Sequence, residues 1–209
     1  MPKERYFNQP SVMTSQAHFS QVPKADIQRS KFDRSHALKT TFDAGQLIPV
    51  YVDEVLPGDT FSVNQTAFAR LATPLKPIMD NIYLDTQFFF VPYRLVWENW
   101  QAFMGERKNP DDDPGIYTIP KITSESGFFN IGTIYDYFGL PTGVSNVANK
   151  CSALPLRAYN LIWNEWYRDQ NLQDRVVEKT GDGSDLLGDY NILKPIMDNI
   201  YLDTQIFII

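Results

Sequence analysis

Cysteine is nearly absent: Cys151 is the single one in 209 residues. One thiol cannot build a disulfide scaffold or a cysteine-based zinc site within a chain. It reads as a small buried residue and not as a nucleophile. Histidine is almost as scarce, and His18 and His36 both lie in polar sequence away from any Ser or Cys motif. No nucleophile elbow and no phosphate-cradling glycine pattern occurs. No apolar run reaches the ~20 residues that span a bilayer, and no secretory signal opens the sequence. These gaps leave no residue set for an enzyme, a cofactor or a metal. They predict a soluble protein of a reducing compartment, with no membrane partner.

Two acidic stretches need separate treatment. Asp111, Asp112 and Asp113 are adjacent, so on an extended chain they point in different directions and lack the alternate spacing of a calcium loop. Gly181-Asp182-Gly183-Ser184-Asp185 fails the same test and reads as a turn.

What the chain does have is aromatic and apolar weight, 14% and 43% of residues, enough for a core of ordinary size. It also has a repeat. Leu75–Gln87 recurs letter for letter as Leu193–Gln205, after which Phe88-Phe89-Phe90-Val91 becomes Ile206-Phe207-Ile208-Ile209. Solenoids and propellers repeat several times at about 20 to 50 residues. Two distant identical copies read instead as a duplication or a chimeric joint. Within the first copy, Ile82, Leu84, Thr86, Phe88 and Phe90 alternate with Tyr83, Asp85 and Gln87, the period of a half-buried strand.

Upstream, Leu47–Val55 reads as a strand, Leu56-Pro57-Gly58-Asp59 as a turn and Phe61–Leu71 as a second strand. Three strands joined by turn chemistry predict an antiparallel all-β framework. Helical spacing appears at Leu95–Met104, closed by Gly105, and at Ile131–Phe138, closed by Gly139 and Pro141. Leu154–Gln170 is the strongest helix. Its stripe of Leu156, Tyr159, Ile162, Trp163, Trp166 and Tyr167 predicts a core face, with Arg157, Asn160 and Asn164 among the residues that fill the rest. Ser152 is the expected N-cap, and Pro155 sits in the first turn.

Charge divides the chain. Net charge is −6, yet residues 1–39 carry Lys3, Arg5, Lys24, Arg29, Lys31, Arg34 and Lys39 against Glu4, Asp26 and Asp33. A basic arm on an acidic body suits a polyanion or the acidic face of another subunit; it also suits a plain solvated terminus. The sequence therefore divides into an extended basic arm (1–39), a body (40–190) and the repeated strand segment (191–209).

Several blocks carry a resemblance. Arg29–His36, Lys39–Pro49, Asp53–Phe61, Arg70–Pro74, Phe88–Trp100, Tyr137–Pro141 and Leu154–Asp174 together resemble the start of the major capsid protein of gokushoviruses, small single-stranded DNA phages of the Microviridae. The resemblance implies a mainly β viral jelly roll, an antiparallel β-sandwich with helical insertions, incomplete in this chain because family members are much longer. It implies a homo-oligomer of capsid subunits forming a T=1 icosahedral shell around the single-stranded DNA genome. Internal scaffolding and minor virion proteins would be partners, and assembly would take place in the host bacterial cytoplasm. Lys24, Arg29, Lys31, Arg34 and Lys39 would contact DNA or an interior partner through phosphates, without reading sequence. An open sheet predicts poor solubility for the chain alone, unless the second copy serves as a substitute strand, in cis or swapped between chains. Two other readings stand beside this one: a jelly-roll module that binds a ligand or receptor, and a rearranged prophage fragment without function.

Overall fold

The computed structural model describes residues 28–77, 79, 81–123, 128–145 and 147–195, and the backbone of 201–208. The chain divides into two units, Met1–Ala37 and Leu38–Ile209. In the first unit, residues 28–37 are exposed and form neither helix nor strand. Ser35 donates from its backbone N–H and its hydroxyl to Asp33, which holds that carboxyl below its usual value.

The second unit is mostly loop, with short helices and few strands. Strand β1 is Ile48–Tyr51 and β2 is Tyr83–Phe90. Two four-residue helices follow, α1 (Tyr93–Val96) and α2 (Trp100–Phe103), where the sequence suggests one. The two-residue strand β3 is Ile122–Thr123, and α3 is Ile134–Tyr137. Gly139 ends α3 at φ +76°, a conformation glycine adopts without strain. Helix α4 (Leu154–Ile162) runs into a π-turn at Trp163–Tyr167. Strand β4 is Asp185–Leu186, and β5 is Tyr201–Ile208.

The sheet order is β1-β5-β2, and β3 pairs with β4 separately. Every one of these ladders is parallel, which corrects the antiparallel framework predicted from the strand spacing. In one of them the repeat pairs with itself. Strand β5 lies beside its own earlier copy in the same direction and in register, from Tyr83 opposite Tyr201 to Phe90 opposite Ile208. Phe61–Leu71 alternates as a strand should, yet joins no ladder and is almost wholly exposed. Alternation supplies faces, but a strand also needs a neighbour's backbone to pair with.

The phase of β2 also differs from expectation. Ile82, Leu84 and Thr86 are half-buried as predicted, but Phe88 and Phe90 are exposed, and Phe89 turns inward instead. Its ring meets Trp166 edge-on at 5.7 Å and Tyr167 at 6.1 Å, and the Tyr167 hydroxyl donates to Gln87 Oε1 at 2.6 Å.

The core gathers around α4. Trp97, Phe129, Ile134, Leu156, Tyr159 and Leu47 are fully or almost fully enclosed. Each such side chain contributes on the order of 1.5–3 kcal/mol by leaving water. Pro155 sits in the first turn of α4 as expected. Ser152 Oγ accepts from Leu154 N–H at 3.3 Å, one residue earlier than the N-cap position itself. Cys151 is half-buried, not enclosed; its thiol donates to Val147 O, and burial raises its pKa.

Candidate assembly surface and the clasp behind it

Arg157, expected on the polar side of α4, is 2% exposed. All five guanidinium N–H groups find acceptors. Nε and Nη2 grip the Asp185 carboxylate at 2.7 and 2.8 Å. Nη1 donates to Val96 O at 3.2 Å and Gly181 O at 2.9 Å, and Nη2 donates also to Gly183 O at 3.1 Å. Tyr190 adds its hydroxyl proton to Asp185, and its own phenol is raised by burial and by that carboxylate. Burial alone would weaken the charge on Arg157, but Asp185 and Tyr190 outweigh it.

The glycine-rich turn at 181–185 is thus one half of a clasp. Small residues let its carbonyls approach the guanidinium. Asp182 in the same turn accepts from Trp97 Nε1 at 2.5 Å and Asn99 Nδ2 at 2.7 Å, which ties it to the connection between α1 and α2. Asn160 and Asn164 continue the pattern along α4. Asn160 Nδ2 donates to Val177 O, and Asn164 both donates to Val176 O and accepts from Val176 N–H. Residues 176–183 form no ladder; Arg157, Asn160 and Asn164 bond the backbone of Val176, Val177, Gly181 and Gly183, and Glu98 N–H donates to Thr180 O. Arginine and carboxylate are occupied by each other, by backbone carbonyls and by Tyr190, so the clasp ties α4 to the 181–185 turn and to Val96.

On the outside the picture reverses. Among the described residues from Leu56 to Asn81, none lies in a helix or a ladder. The turn expected at Leu56-Pro57-Gly58-Asp59 is present, with Gly58 at φ +88° and Asp59 N–H donating to Leu56 O at 3.0 Å. Phe68 is 91% exposed, Leu75 104% and Met79 91%. Phe90 and Trp166 lie open as well. Trp166 leaves the predicted core stripe because the π-turn, closed by Arg168 N–H to Trp163 O, shifts the residues after Trp163 round the axis.

The predicted DNA-contact residues are assigned to two units. Lys24 lies outside the described residues. Arg29, Lys31 and Arg34 are exposed in the first unit, and Lys39 is exposed in the second. The aspartates at 112 and 113 are occupied locally: Asp112 accepts from Lys108 and Asn109 N–H, and Asp113 from Gly115 N–H.

The family model described as "Capsid protein (F protein)" matches residues 20–201. The chain belongs to this phage capsid protein family. Capsid protein VP1 of Chlamydia phage 1 is 54% identical over 178 residues, which are 83% of this chain and 29% of that protein. Capsid protein VP1 of Bdellovibrio phage phiMH2K is 47% identical over 192 residues, 92% of this chain and 36% of that protein. The Spiroplasma virus 4 counterpart is 33% identical over 202 residues, again 92% and 36%. This capsid-family chain therefore spans about a third of the length of the curated relatives it matches.

Sequence reasoning did not find the clasp. Its signal was present: Arg157, Asn160 and Asn164 stand at i, i+3 and i+7, a polar stripe bordering the aromatic one. A downstream segment with two glycines and a carboxylate was its natural counterpart.

Proposed function

We propose that this chain is part of the major capsid protein of a small single-stranded DNA phage, and that its chemistry is assembly. Subunits bury apolar surface against one another in a T=1 icosahedral shell around the genome, formed in the host bacterial cytoplasm. A jelly roll, completed by sequence this chain does not contain, is the architecture that the family reading supports. The observation that carries the reading is the exposure of Phe68, Leu75 and Met79 on backbone with no ladder, beside a closely packed core. Apolar side chains this open, on unpaired backbone, suit a surface that another polypeptide covers. The test is co-expression with a full-length capsid protein of the family. Sedimentation is expected to place the chain in shell-sized particles; a chain that stays monomeric beside complete shells overturns the proposal.

Lys24, Arg29, Lys31, Arg34 and Lys39 then form an interior arm that neutralises DNA phosphates, next to scaffolding and minor virion proteins. Each phosphate contact to single-stranded DNA releases about 0.7 counterions. Replacing Arg29, Lys31, Arg34 and Lys39 with alanine is expected to cut the slope of log affinity against log salt by about 2 to 3. The decrease should be equal for unrelated oligonucleotides. Fluorescence-anisotropy titrations between low and moderate salt read it directly, and an unchanged slope removes these residues from the DNA face.

A further inference from the structure

Strands β1 and β2 do not pair with each other; their described ladders both run to β5, which lies between them. We infer that this slot is an exchange site, and that Tyr201–Ile208 of a second copy of the chain occupies it as a donor strand. The register is the first argument. Tyr83–Gln87 faces Tyr201–Gln205 residue for residue, and the two are the same sequence. In-register stacking of identical strands is the pattern by which separate chains associate. A strand that recognises its own sequence cannot tell the copy in its own chain from the copy in another.

The second argument is energetic. The same ladder bonds form in either case, so only the chain connection favours the internal strand. That connection acts as an effective concentration in the millimolar range for a short tether. The internal copy is anchored at its first residue: Leu193 N–H donates to the Tyr159 hydroxyl at 2.9 Å, and Leu193 O accepts from Leu47 N–H at 3.0 Å. Asp85 and Asp203 share one register position whichever copy supplies the strand, so their like charges weaken both arrangements alike and leave the tether as the only difference. Exchange becomes competitive where copies crowd together, as assembling subunits do.

The test uses two versions of the full chain, both with Cys151→Ser, one carrying Thr86→Cys and the other Thr204→Cys. These positions are register partners. Neighbouring strands lie about 4.8 Å apart, within the ~4.4–6.8 Å that a disulfide tolerates. After the two versions are unfolded, mixed and refolded together, oxidation is expected to give a heterodimer linked 86 to 204, its share rising with protein concentration. No such heterodimer, while the Thr86→Cys/Thr204→Cys double variant closes within one chain, overturns the inference. So does a failure of both to link. Should the variants not fold, isotope-labelled and unlabelled native chains answer the same question: mixed dimers in native mass spectrometry support exchange, and monomers alone refute it.

Discussion

Asp185→Ala is expected to destabilise the 38–209 unit by about 3 to 5 kcal/mol, the cost of removing one partner from a buried ion pair. Arg157 cannot neutralise itself by releasing its proton, because a guanidinium stays charged in proteins. It would remain 2% exposed with three carbonyls for company and no counter-charge. Tyr190 would lose its acceptor at the same time. Domains are stable by only about 5 to 15 kcal/mol, so the variant gives up a large share of the total. Urea unfolding followed by tryptophan fluorescence measures it, with Trp97 adjoining the clasp through Asp182. The double replacement Arg157→Met with Asp185→Leu should recover part of the loss and not all of it. Apolar substitutes remove the uncompensated charge, but the carbonyls of Val96, Gly181 and Gly183 then lack donors. A change below about 1 kcal/mol for Asp185→Ala would show that water reaches the pair and that the clasp is no keystone.

Why this cluster escaped the sequence, while the β2 strand did not, is a question of what periodicity encodes. A period of two located β2 within a residue of Tyr83–Phe90, and helical spacing located α4 and its N-terminal proline. Both are local properties. The fate of Arg157 depends on a segment 28 positions away, whose glycines advertise only a turn. Ladder direction is likewise non-local: alternation in Phe61–Leu71 is as clear as in β2, yet only β2 has a partner. Trp166 fell off the core stripe because the pattern assumes 3.6 residues per turn through to Gln170, and the chain widens at Trp163. An assembly role was legible only through the resemblance; the exposed side chains proposed to carry it became visible with the fold.

Those side chains give the second large effect. The triple variant Phe68→Ser, Leu75→Ser, Met79→Ser is expected to leave the stability of the isolated chain within about 0.5 kcal/mol, because replacing exposed residues rarely does more. Assembly should respond very differently. An apolar side chain covered at a contact contributes about 1.5 to 3 kcal/mol through burial. Three of them per subunit amount to about 5 to 9 kcal/mol, a weakening of more than a thousandfold at each contact. In the proposed shell, symmetry repeats each such contact, so the loss recurs at every copy of that interface. The contrast separates two uses of apolar surface: residues that hold this chain folded are enclosed around α4, and the residues proposed to join it to neighbours are the exposed Phe68, Leu75 and Met79. Co-expression with a full-length family capsid protein, followed by sedimentation, is expected to leave the triple variant outside the particles with its urea midpoint unchanged. Particles that take up the variant as readily as the native chain would move the assembly surface elsewhere, with Phe90 and Trp166 the next residues to replace.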